Sequence, residues 1–240
     1  MDLRVCHLYG DLMCIYGDRG NVLTLRRRSE WRGIDVAIEI VSAGDRLDPE
    51  RYDLYFFGGG QDTQQDIVAD DLRQGNGEAL REAVGRGAAI LSVCGGYQLL
   101  GHFYRPFEGP ELRGLGILDV HTVAGRTRFI GNVLALGEEP LVGFENHSGR
   151  TYLGAQAAPL ARIVAGAGNN GEDGTEGAMQ GKVIGTYLHG SLLPKNPWLA
   201  DRVIAWALER RHGRVALAPL DDAFERDARE AAMELARARR

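Results

Sequence analysis

Strand-like stretches at residues 3–9, 35–41 (where apolar and polar residues alternate), 53–57 and 89–93 take turns with helix-patterned ones, and this order constrains the fold more than any other feature of the sequence. Asp18-Arg19-Gly20-Asn21 opens the first such stretch, with Val22, Leu25 and Trp31 on its apolar face. Residues 63–74 and 76–86 carry the next two. A helix between two strands returns the chain to the end of the sheet where it started, so the strands pair in parallel. Covering both faces of such a sheet makes its strands continuously apolar. The expectation is an α/β fold with a mostly parallel central sheet and helices on both faces.

The pattern changes near Gly114. Residues 116–123, 127–136 and 142–145 read as strands with no long helix between them. Residues 166–177, rich in Gly, Asn and Asp, read as a surface loop, 182–188 as a strand and 198–212 as a helix. Residues 221–240 form a charged helix with acids first and arginines last, the order the helix dipole favours. No linker composition interrupts the chain. One domain is expected, with a body over 1–205 and a C-terminal helical extension over 206–240 packed on it.

With 240 residues the chain can bury a sizeable core, and its net charge of -5 gives no electrostatic footprint for a nucleic-acid partner. No apolar run approaches the length that spans a bilayer, and MDLRVCHLYGDL has neither the apolar region nor the cleavage site of a signal peptide. Cys6, Cys14 and Cys94 make neither a disulfide framework nor the ligand spacing of a zinc site. A reducing, cytoplasmic setting without a metal is therefore expected.

Within this frame Cys94 stands out. Ala89-Ile90-Leu91-Ser92-Val93 reads as a buried strand, and Tyr97, Leu99, Leu100 and Phe103 have helical spacing, so Cys94 falls on a strand-to-helix turn. A nucleophile on such a turn needs small neighbours two residues to either side, and Ser92 and Gly96 stand there. The N–H groups opening the helix favour a thiolate, and the Gly95 N–H is placed to stabilise an oxyanion. A lone free cysteine is more often a packing residue, so the reading needs a base.

His189, in Thr186-Tyr187-Leu188-His189-Gly190, is the candidate: it ends an apolar strand, and active sites of open parallel sheets gather at the carboxyl ends of strands. His121 and His147 are weaker rivals, while His7, His102 and His212 read as loop or structural histidines. Gly58-Gly59-Gly60 follows another strand directly. Its backbone can approach a ligand closely, with Gly59 or Gly60 as a second oxyanion donor. No Lys-Ser or Lys-Thr follows, so a phosphate loop is disfavoured.

A Gly-rich loop after a strand, a cysteine elbow and a late strand ending in histidine together resemble the class I, or triad, glutamine amidotransferases. The similarity covers roughly residues 1–205. Gly58-Gly59-Gly60-Gln61-Asp62 and Tyr187-Leu188-His189-Gly190 resemble the cobyric-acid-synthase-type branch. Further look-alike segments are Tyr16-Gly17-Asp18-Arg19-Gly20-Asn21, Thr127-Arg128-Phe129-Ile130-Gly131-Asn132 and Gly143-Phe144-Glu145-Asn146-His147. The resemblance implies a flavodoxin-like fold and hydrolysis of L-glutamine, with Cys94 as nucleophile and His189 as acid and base. It further implies that Gly59 or Gly60 and Gly95 hold the oxyanion, and that Arg128 binds the substrate α-carboxylate.

Many members carry His-x-Glu, but this chain has His189-Gly190-Ser191, with no carboxylate at that place. The resemblance leaves an aspartate from a partner as the expected orienting acid, with Glu145 as an internal alternative. No P-loop is present, so no cofactor is expected here and ATP use belongs to another subunit. The branch resembled implies a Mur-ligase-like partner, MurT, which amidates the D-glutamate α-carboxylate of lipid II in peptidoglycan synthesis at the membrane face. A glutaminase serving another acceptor, such as a corrinoid, and a non-catalytic regulatory relative are the alternatives. Cysteine hydrolases of the same fold that place histidine soon after the nucleophile fit poorly, because His189 lies far downstream of Cys94.

Overall fold

The computed structural model describes residues 1–15 and 17–238. The first half alternates as expected: β1 (Asp2–Leu8), α1 (Asp18–Glu30), β2 (Asp35–Val41), β3 (Leu54–Phe57), α2 (Asp62–Asp71), α3 (Gly77–Gly85), β4 (Ala89–Val93) and α4 (Gly95–Leu100). A widened turn over Leu72–Asn76 joins α2 to α3, where Gly75 takes φ 134°, a backbone conformation closed to most side chains. The helix after Cys94 stops at Leu100, so Phe103 belongs instead to a short strand, β5 (Phe103–Arg105).

The second half supplies β6 (Leu112–Arg113), β7 (Val120–Leu136), β8 (Pro140–Leu153), β9 (Ala161–Ala165) and β10 (Thr175–Glu176). The strands expected at 116–123 and 127–136 are one strand, β7, and the gap between them is an irregularity where the register with β8 shifts between Ala124 and Phe129. The third expected strand, 142–145, is the middle of the longer β8. The segment 166–177 is largely loop, yet it contains β10. The chain ends with β11 (Ala178–Gln180), β12 (Val183–Thr186), α5 (Leu192–Lys195), α6 (Pro197–His212) and α7 (Ala223–Ala238). The domain boundary expected at 205 falls inside α6, and the last two residues of the expected 221–240 helix lie outside the described residues.

Two sheets result. The central one runs β2-β1-β3-β4-β12-β11 and is parallel apart from β11, which pairs antiparallel with β12. Every residue of β3, β4 and β12 is buried, while the edge strand β2 alternates towards solvent. This is why the inner strands read as unbroken apolar runs. From β1 the chain goes to β2 on one side and returns to β3 on the other. The order therefore reverses between β1 and β3, the place where open parallel sheets commonly take ligands beyond the strands' carboxyl ends. Helix α6 lies against β1, β3 and β4, while α1 packs on β2, α5 and α6. The second sheet is built on the β7–β8 hairpin, with β9, β10, β5 and β6.

The C-terminal helix is not solvated on all sides. Ala232, Met233 and Ala236 of α7 pack against Leu134, Val142 and Ala165 of the second sheet. Arg28 of α1, only 1% exposed, binds Asp201 of α6 and Asp222 just before α7, at 2.7 and 2.6 Å. Among the described residues no helix is long and apolar enough to cross a membrane.

Candidate active site

Cys94 occupies the turn between β4 and α4 with φ 50° and ψ -105°. A non-glycine residue held there stores about 1–3 kcal/mol of backbone strain, the usual mark of a presented nucleophile. Its N–H donates to Thr186 O of β12 at 2.9 Å, tying the elbow to the strand that leads to His189. A Cβ at Gly96 would lie 2.5 Å from Phe57 O, so only glycine lets α4 start this close to the end of β3. Cys94 is 7% exposed and His189 fully buried.

His189 is fixed by its backbone, which exchanges hydrogen bonds with Phe144 of β8: His189 N–H to Phe144 O at 2.8 Å, and Phe144 N–H to His189 O at 3.3 Å. Two residues earlier, Tyr187 stacks face to face on His147, and its hydroxyl hydrogen-bonds with Thr151 at 2.7 Å. Gly59 then brings His189 and Cys94 together. A Cβ there would meet His189 Cε1 at 3.0 Å and Cys94 Cβ at 3.3 Å, so the Gly59 backbone lies against both side chains. Burial pushes the imidazole pKa down. Hydrogen bonding and charge from Asp18 and Cys94 more than offset this and raise it to about 10.

Three buried carboxylates lie near His189, and they do different things. Glu145, the internal candidate for orienting it, points elsewhere: its oxygens accept from the N–H groups of Ala167 (2.9 Å) and Gly168 (2.9 Å), and it stands 3.9 Å from His147. Glu176 accepts from Thr186 Oγ1 at 2.6 Å and Tyr187 N–H at 2.9 Å, and burial raises its pKa to about 7. Asp18 faces the imidazole, with its Oδ1 3.7 Å from His189 Nδ1 and both side chains fully buried. From the sequence alone Asp18 reads as a helix start, and the signal for a further role is the Gly17-Asp18-Arg19-Gly20-Asn21 segment around it.

Asp18 also alters the expected oxyanion site. Its Oδ2 accepts the Gly59 N–H at 2.7 Å, which leaves Gly60 as the loop amide free to serve, since no described residue accepts its N–H. The Met13 side chain lies between Gly60 and Gly95, and a Cβ at Gly95 would come within 2.9 Å of its Cε and 2.6 Å of Gln65 Nε2.

Arg128 is exposed at the β7 irregularity, where Asn146 Oδ1 accepts from its Nε at 2.6 Å. Asn146 lies two residues along β8 from Phe144, the backbone partner of His189, so the guanidinium stands beside the strand that borders the base. His121 lies stacked between Phe103 and Tyr152, and His147 on Tyr187; the histidine beside Cys94 is His189. Among the described residues no group of three or more His, Cys, Asp or Glu side chains could hold a metal ion.

Residues 4–197 match the CobB/CobQ-like glutamine amidotransferase domain. The chain belongs to this family. The amidotransferase is 42% identical over 216 residues to the GatD subunit of the glutamine-hydrolyzing lipid II isoglutaminyl synthase of Streptococcus pneumoniae, a match covering 88% of this chain and 83% of that one. The corresponding subunit of Staphylococcus aureus is 37% identical over 212 residues, covering 88% and 86%. A cobyric acid synthase of Pelotomaculum thermopropionicum is 34% identical over 222 residues, but the match spans 80% of the amidotransferase and 40% of that longer protein. Among solved structures, a glutamine amidotransferase of Thermotoga maritima superposes with a TM-score of 0.57 at 16% identity, over 98% of this chain and 95% of that one, and shares the fold.

Proposed function

We propose that this chain is the glutaminase subunit of a two-subunit lipid II isoglutaminyl synthase. The observation that carries the reading is the contact of Gly59 with both Cys94 and His189, which sets a thiol and an imidazole around one small space at the carboxyl end of the sheet. The similarity to GatD subunits over most of both chains supports the choice of acceptor.

In this reading the Cys94 thiolate attacks the side-chain carbonyl carbon of L-glutamine. Gly60 and Gly95 N–H groups hold the oxyanion, and the Arg128 guanidinium binds the α-carboxylate. As the tetrahedral adduct collapses, the C–N bond breaks, the His189 imidazolium protonates the departing nitrogen and ammonia leaves a glutamyl thioester. The neutral imidazole then takes a proton from water, hydroxide adds to the thioester and glutamate departs with the thiolate restored. Ammonia passes to a Mur-ligase-like partner, MurT, which spends ATP to activate the D-glutamate α-carboxylate of lipid II and converts it to D-isoglutamine. No cofactor is required on this chain.

Glutamate release from L-glutamine, measured with and without the Mur-ligase-like partner, tests the reading. Release abolished in Cys94→Ala, and coupled to lipid II amidation when partner and ATP are present, is expected. No release under either condition would leave the non-catalytic alternative standing. Release without amidation of lipid II, but with amidation of a corrinoid acid by its synthetase, would move the acceptor.

A further inference from the structure

Resting on the glutaminase reading, we infer that Asp18 is the positioning residue for His189, the orienting carboxylate of the triad carried within this chain on α1. The position where related enzymes place a glutamate is Ser191, and Ser191 is where the replacement is anchored. Its hydroxyl donates to Gly17 O at 2.8 Å, one residue before Asp18. The whole Gly17–Asn21 segment is shaped for this junction. Gly17 turns the chain at φ 88°, Gly20 leaves room for Ser191 Oγ against its Cα, and Asn21 Oδ1 accepts the Leu193 N–H at 2.9 Å. The start of α1 is thereby locked onto the residues just after the base.

The two carboxylate oxygens have separate tasks. Oδ2 takes the Gly59 N–H at 2.7 Å and holds the loop that lies between nucleophile and base. Oδ1 is fully buried, makes no hydrogen bond among the described residues and stands 3.7 Å from His189 Nδ1. A buried carboxylate oxygen without a donor is costly. A proton on Nδ1 satisfies it and leaves Nε2 as the atom that exchanges protons with thiol, leaving nitrogen and water. The present separation is longer than a hydrogen bond, and catalytic contacts of this kind tighten as substrate closes the site. Glu145 spends both oxygens on backbone N–H groups, and Glu176 Oε1 takes Thr186 Oγ1 and the Tyr187 N–H. Glu176 Oε2 also has no donor among the described residues, but the carboxylate within 4 Å of a His189 ring nitrogen is that of Asp18.

The test compares wild type, Asp18→Asn and Cys94→Ala as full-length chains, each with its Mur-ligase-like partner. Asn keeps an oxygen for the Gly59 N–H, so the loop stays in place while the charge is lost. Expected is a fall in kcat of about 10²-fold or more with KM for glutamine within roughly threefold. A second readout needs no variant to fold at Asp18: in wild type, the His189 Nδ1 proton gives a hydrogen-bonded NMR signal, assigned by its loss in His189→Ala. Unchanged kcat in Asp18→Asn, or a His189 ring protonated on Nε2 alone near neutral pH, would overturn the inference. Wild type that releases no glutamate, while showing the Nδ1 signal, would instead sink the glutaminase reading and leave the pairing intact.

Discussion

The rings of His147 and Tyr187 lie parallel, 4° apart in plane and 3.6 Å between centroids, and so bind the second sheet to the segment that carries His189. Tyr187 is fully buried and sits two residues before His189, so its position sets where the imidazole begins. His147→Ala removes the stacking face and leaves a cavity beside Tyr187. Expected are a stability loss of about 2–4 kcal/mol in urea unfolding, as for other large-to-small core changes, and a lower kcat, since the segment leading to His189, the proposed base, loses its backing.

Gly59→Ala tests how little room exists between the reacting groups. The added carbon would sit 3.0 Å from His189 Cε1 and 3.3 Å from Cys94 Cβ, so at least one of them must shift. Displacements of even 1 Å at reacting atoms cost about 100-fold. Glutamine hydrolysis is expected to fall by at least about that factor while the melting temperature moves by only a few degrees.

If Arg128 binds the glutamine α-carboxylate, as proposed, Arg128→Ala is expected to raise KM for glutamine about tenfold or more and to spare kcat, because that group is remote from the bond broken. Arg128→Lys recovers part of the loss, because an ammonium keeps the charge but not the two-pronged geometry. Steady-state kinetics separates these outcomes.

Burial holds Glu176 at a pKa of about 7, against 4.5 for an ordinary glutamate. Its folded-state pKa is raised, so the neutral carboxyl's contribution is complete below about pH 4.5 and is lost as pH climbs through 7. Glu176→Gln keeps an acceptor for Thr186 and Tyr187 N–H and cannot ionise. The variant is expected to gain on wild type as pH rises from 4.5 to 8, by up to about 3 kcal/mol. His189, whose pKa is raised to about 10, adds its own decline over pH 6.5 to 10 in both proteins. The difference between the two unfolding curves therefore isolates the glutamate.

Much of this architecture is legible in the sequence because its signals are local. Buried on every residue, β3, β4 and β12 show as apolar runs, and the Cys94 elbow announces itself by Ser92 and Gly96 within a few positions. What stayed hidden depends on distant parts meeting. Asp18 looks like an ordinary helix-start acid until α1 docks beside Ser191. Gly59 looks like an oxyanion donor until Asp18 takes its N–H. The β7 irregularity reads as a break between strands, because alternation is lost there although pairing with β8 resumes at Phe129. The partners of α7 were equally invisible: its apolar residues find them on strands far back in the chain.

Helix α1 carries Asp18 at one end and the buried Arg28 at the other, ten residues apart, or about 15 Å at 1.5 Å per residue. Arg28 is gripped by Asp201 and Asp222, beyond the stretch that matches the family domain. The helix is thus a strut with one foot against His189 and the other in the C-terminal tail. Loosening the tail, by Asp222→Ala or by cutting before it, frees the far foot, and the carboxylate beside His189 is the part that would feel the slack.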